Sequence, residues 1–161
     1  MTTKQIIEEA IKVVRPKVFG DSEIGMVGCA LITDKNTIFK GVCIHTVCGM
    51  GFCAEHTAIG QMVTQGEYKI KKIVAVHKNK DGEVSILAPC GRCREFMYQT
   101  NEENLETEVV LDIDNPEITV PGHPNDMELP GFLHVHHCYS PCCPDTSCQG
   151  GQHVQRLAMY S

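Results

Sequence analysis

A chain of 161 residues has the size of one ordinary domain and is too short for two substantial ones. Its 42% hydrophobic and 21% charged content excludes wholesale disorder, and a net charge of −6 argues against nucleic acid as a partner. The longest apolar run, Met26–Ile32, is far below the ~20 residues that cross a bilayer, and Met1-Thr2-Thr3-Lys4 lacks the form of a secretion signal, so a cytoplasmic protein without membrane contact is expected.

In chain order, Ile6, Ile7, Ala10, Ile11 and Val14 recur at helical spacing over Thr3–Val14, with Thr2 or Thr3 as cap and Pro16 as stop. Met26–Thr33 and Thr37–Ile44 read as a β-hairpin around Asp34-Lys35-Asn36. Cys53–Val63, with Ala54, Ala58, Ile59 and Met62 on one side and Gly66 beyond its end, reads as a helix. Ile70–Val76 and Val84–Leu87 are predicted strands around the turn Asn79-Lys80-Asp81-Gly82. Arg92–Gln99 follows as a helix and Glu108–Ile113 as a last strand. Helices alternating with strand pairs predict an α/β domain with helices packed on a sheet.

After Asp114 the pattern changes. Residues 115–161 hold six of the eight prolines, five of the eight histidines, four cysteines and a single basic residue, Arg156. Patterned apolar surface is too sparse there to offset ordering entropy, so a poorly structured extension is expected rather than a second domain. Its His134, His136, His137, Cys138, Cys142, Cys143 and Cys148 would suffice for a second metal, but their spacing matches no familiar finger.

Ten cysteines without a signal peptide read as metal ligands or reactive thiols rather than disulfides. Cys29, Cys43 and Cys48 are expected to pack as small buried hydrophobes. The chemistry concentrates in Cys53-Ala54-Glu55 and Pro89-Cys90-Gly91-Arg92-Cys93-Arg94, each at the start of a predicted helix. Cys90 and Cys93, three apart on a first helical turn, face one point. Cys53 would complete three ligands to a zinc ion and leave the fourth position to water, as catalytic zinc sites do. Zinc with three thiolates is a net −1 unit, which opposes ionisation of that water. Two helix N-termini of roughly half a positive charge each would offset it, with Arg94 or Arg92 adding to them. Glu55 would then accept the water's proton and pass it on.

These two motifs resemble the signature of the zinc-dependent cytidine deaminase family, a Cys-Ala-Glu followed by Pro-Cys-x-x-Cys, in its small three-cysteine nucleoside branch. The flanking residues are especially similar to its blasticidin S deaminase-like members, and with Val27–Leu31, Phe39–Val42 and the strand order the resemblance spans about residues 4–114. It implies a three-layer α/β/α fold on a mixed five-stranded sheet, a deaminase domain over residues 1–133 and an extension over 134–161. Cys53, Cys90 and Cys93 would hold Zn²⁺, Glu55 would shuttle protons, and backbone around Ala54 and Ala88 would hold the base edge. The activity implied is hydrolytic removal of the 4-amino group of a cytosine nucleoside, with ammonia released, in a homotetramer. Cys43-Ile44-His45 stands where the family's sugar-gripping Asn-x-Glu is usual, making Cys43 and His45 the candidate sugar contacts. An aromatic that often stacks on the base is replaced by Ile24-Gly25. His56 stands where an Arg commonly offsets thiolate charge, so His56 and Arg94 share that expected role. Deamination of the antibiotic blasticidin S is the alternative within the family. A non-catalytic zinc-binding or redox-sensing module is the alternative outside it.

Overall fold

The computed structural model describes residues 2–79 and 81–115 and the backbone of Thr119–Pro121. It opens with helix α1 (Thr3–Val13), where Thr2 and Gln5 form a reciprocal capping box at the N-terminus. Strands β1 (Lys17–Phe19), β2 (Ser22–Thr33) and β3 (Ile38–His45) follow, then helix α2 (Ala54–Thr64) and the hairpin β4 (Ile70–Lys78) with β5 (Val84–Leu87). Helix α3 (Gly91–Thr100), a 3₁₀ turn (Glu102–Glu106) and the short strands β6 (Glu108–Val110) and β7 (Thr119–Pro121) complete the described chain.

Long β2 is the centre of one mixed sheet. It pairs antiparallel with β1, β3 and β4. Strand β4 pairs antiparallel with β5 and parallel with β6, which carries β7 on its far side. Because side chains alternate along β2, Ala30 and Ile32 meet Ile6, Ile7 and Ala10 of α1 on one face. Cys29 and Leu31 meet Ala54, Ala58, Ile59 and Met62 of α2 and Met97 of α3 on the other. The three-layer α/β/α arrangement is therefore as expected.

The sheet has seven strands among the described residues rather than five. The additions are β1, a wholly exposed three-residue strand turned onto β2 through Gly20 at φ +57°, and β7. Strand β6 ends at Val110 rather than Ile113, because Asp112 turns the chain by accepting from the backbone N–H groups of Asp114 and Asn115. Cys29 and Cys43 are buried as expected, but Cys48 is exposed in the turn after β3, with φ +58°. The His/Cys-rich segment from His134 to Cys148, and with it the proposed boundary at residue 133, lies outside the described residues. Among the described residues no helix is long and apolar enough to cross a membrane.

Close docking fixes the site side of the sheet. At Gly41 of β3, a Cβ would run into the backbone of α2 at Ala54 O and Ala58 N, so only glycine lets the helix lie this low. Thr57 of α2 adds a hydrogen bond from Oγ1 to Val42 O at 2.9 Å. The N-terminus of α2 is thereby held against the sheet.

Candidate metal centre and active site

Cys53 and Cys90 are the N-cap residues of α2 and α3, each with extended backbone and its side chain left free of capping duty. Cys93 lies in the first turn of α3 and is fully buried. Their sulfurs converge: Cys53 Sγ is 3.8 Å from Cys90 Sγ, Cys90 Sγ is 3.5 Å from Cys93 Sγ, and all three lie within 4.8 Å of one another. Zinc–sulfur bonds of about 2.3 Å in a tetrahedron set sulfurs about 3.8 Å apart, which this cluster matches.

The thiols' own ionisation points the same way. The contact with Cys53 holds the Cys90 thiol well below the usual cysteine value, and the same contact pushes Cys53 up. Contact with Cys53 and Cys90, then burial, pushes Cys93 up as well. A thiophilic dication would displace the thiol protons, and two helix N-termini face the resulting charge. The donor set fits zinc.

Glu55, on the first turn of α2, is only 4% exposed, and burial pushes its carboxyl above the usual carboxylate range. Cys29 on β2 lies beneath it: burial and the nearby Glu55 charge both push that thiol up. Ala54 is fully buried at the start of α2, and Ala88 is half-buried just before the second motif. Cys43 is 1% exposed and its sulfur accepts the backbone N–H of Val27 at 3.2 Å, where a bulge between Ile24 and Gly28 interrupts the pairing of β2 with β3. His45 is exposed at the end of β3.

The charge-offset candidates take different places. His56 brings Nδ1 to 3.6 Å from Cys93 Sγ, with its ring stacked on Phe96 at a centroid distance of 4.6 Å and 17° between planes. Burial, then the nearby Arg92 charge, pushes its pKa below the usual histidine value, with the Cys90 charge opposing them. Arg94 is half-buried, with its backbone N–H bonded to Cys90 O at 3.0 Å. Arg92 reaches back across the site, donating from Nη1 to Gly51 O at 3.3 Å, and so ties the segment before Cys53 to α3. Sequence reasoning found the sulfurs and the carboxylate but missed this tie, the Val27–Cys43 contact and the stacking of Phe96 on His56. Only Phe96 left a trace, its helical spacing three residues after Cys93.

Comparison with known proteins agrees with this geometry. A family profile for the cytidine and deoxycytidylate deaminase zinc-binding region matches residues 1–107. Blasticidin-S deaminase of Bacillus cereus is 37% identical over 76 residues, 44% of this chain and 54% of that protein, so the chain spans about half the length of this curated relative. Crystal structures of cytidine deaminases from Mycobacterium leprae and Burkholderia pseudomallei each superpose with a TM-score of 0.59. They are 19% and 25% identical, and each match covers 76% of this chain and 94% of the solved one. With the profile spanning well over half of its length and the three sulfurs gathered at two helix starts, the chain belongs to the cytidine and deoxycytidylate deaminase zinc-binding family.

Proposed function

We propose that the protein is a zinc-dependent hydrolase that replaces the 4-amino group of a cytosine nucleoside or nucleoside analogue with oxygen, consuming water and releasing ammonia. The observation that carries this reading is a buried carboxylate, Glu55, two residues from one sulfur of a three-sulfur cluster. Zinc held by Cys53, Cys90 and Cys93 supplies acidification of a water, so that attack on carbon proceeds near neutral pH.

The remaining work belongs to the chain. Glu55 takes the water's proton and delivers it to N3 of the base as C4 becomes tetrahedral. It then takes the remaining proton from the hydroxyl on C4 and gives it to the amine, so that the C4–N bond breaks, the C4 carbonyl forms and ammonia leaves. Burial raises the Glu55 carboxyl above the usual carboxylate range, which makes it a better proton acceptor for this exchange than an exposed glutamate. Backbone groups around Ala54 and Ala88 hold the edge of the base. The two helix N-termini draw charge from the thiolates, and the His56 imidazole stands 3.6 Å from the Cys93 sulfur. Arg94, beside Cys90 on the same helix turn, adds a positive charge nearby.

Blasticidin S is the second reading, and one observation favours it. Cys43 is buried with its sulfur already engaged by Val27, so of the two candidate sugar contacts only His45 is free to meet a ligand. A site with so sparse a grip on ribose suits a cytosine analogue with a different ring, and the Bacillus cereus relative carries that substrate in its name. The setting we assign is a cytoplasmic homotetramer acting on small molecules, with residues 1–133 as the deaminase domain and 134–161 as an extension. A panel of cytidine, deoxycytidine and blasticidin S on zinc-loaded protein, read by ammonia release, decides between the readings. Turnover of none of them contradicts both.

A further inference from the structure

Phe96 is 38% exposed, an unexpected place for a phenyl ring on a helix that buries only Cys93 and Met97. It stands one helical turn after Cys93, on the same side of α3, and its ring lies nearly parallel to the imidazole of His56 on α2. His56 is only half-buried and shares a shallow surface depression with Arg92, Glu95, Phe96 and Gln99. A half-exposed imidazole has several rotamers open to it. Only an orientation near the observed one presents Nδ1 to Cys93 Sγ, at 3.6 Å.

We propose that Phe96 is a positioning residue for the metal centre: its ring clamps the His56 imidazole so that Nδ1–H donates to the Cys93 sulfur. The stack thereby converts a surface aromatic into control over a ligand's charge. Ligand-orienting groups of this kind typically change metal affinity 10–100-fold when removed. Phe96 acts only through His56, so its substitution should matter only while His56 is present. The inference rests on the assignment of Cys53, Cys90 and Cys93 as metal ligands.

The test uses full-length protein loaded with Co²⁺, whose thiolate-to-metal charge-transfer band reports on sulfur charge. Phe96→Leu and His56→Ala should each move the band to lower energy and speed loss of zinc to a chelator. The double variant should go no further than His56→Ala alone, and Phe96→Tyr should restore wild-type behaviour. A wild-type band and zinc retention in Phe96→Leu, or additive shifts in the double variant, overturn the proposal. Because Phe96→Leu can perturb folding, ¹⁵N NMR of the wild-type zinc-loaded protein gives an independent check. His56 must be the Nδ1–H tautomer there, and the Nε2–H tautomer overturns the clamp without any variant. Absence of a thiolate band in wild-type protein removes the ligand assignment and the clamp with it.

Discussion

Cys53 and Cys90 occupy the same place on two different helices: each is the N-cap, each keeps extended backbone, and their sulfurs stand 3.8 Å apart. An N-cap side chain ordinarily bonds its own helix's first N–H groups, and here neither does. Both sulfurs are turned toward a common point, with the positive ends of two helix dipoles directed at it. Cys93 reaches that point from the next turn of α3. Two helix starts therefore build the cluster, and the packing of α2 and α3 on one sheet face keeps them together.

Replacing Glu55 by Gln keeps the shape of the side chain and removes its proton exchange. The expected result is a fall in kcat of about 10²–10⁴-fold with zinc content per chain unchanged, measured by ammonia release and metal analysis. Full activity in Glu55→Gln would show that Glu55 is not the proton carrier.

Gly41→Ala tests whether the low seat of α2 matters. The added methyl meets the helix backbone at Ala54 and Ala58, which cannot swing aside as a side chain could. The variant should lose about 1–3 kcal/mol of stability in denaturant unfolding. It should also release zinc to a chelator faster than wild type, because Cys53 moves with α2. Unchanged zinc retention would show that α2 is not what holds Cys53 in place.

Glu9 of α1 pairs with Lys12 and, across to β3, with Lys40, at 2.6 and 2.9 Å. Hydrogen bonds from Lys12 and Lys40 pull its carboxyl from the ordinary 4.5 down to about 2. A pKa lowered in the folded chain adds stability above the unfolded value, and that stability is lost as pH falls through the folded one. Glu9→Gln should therefore lower Tm slightly at pH 7, the pair being open to solvent, and the gap should close between about pH 4.5 and 2. A gap that stays constant down to pH 2 would assign the effect to something other than the ion pair.

Removing residues 134–161 should leave one tightly held zinc per chain and full activity, because the three sulfurs and Glu55 all lie upstream. Loss of half the metal from the truncated protein would assign a second site to the tail cysteines and histidines.

The parts of this arrangement that are local in sequence were legible in it. Cys90 and Cys93 at i and i+3, Cys53 at a helix start, and the apolar spacing of α1 and α2 all follow from one helical turn's geometry, whatever surrounds it. Strand β1 was not legible, because Lys17-Val18-Phe19 buries nothing and its pairing depends on a tight turn at Gly20. The bulge that sends the Val27 N–H to Cys43 depends on register between two strands, which neither strand specifies alone. Asn104 also escaped notice. Buried in the 3₁₀ turn, it accepts from Ile70 N–H and donates to Met97 O and Tyr68 O, tying the end of α3 to the start of β4 through partners up to 36 residues away in the chain. The His56–Phe96 stack is of the same kind, since it needs two helices brought side by side before either ring has a partner.

X-ray absorption at the zinc edge addresses the heart of this account, a metal gripped by three sulfurs with one coordination position left for the reacting oxygen. On purified, zinc-loaded protein the spectrum should fit three sulfur neighbours at about 2.3 Å and one light atom at about 2.0 Å. Four sulfurs, or a first shell in which nitrogen and oxygen outnumber sulfur, would contradict it.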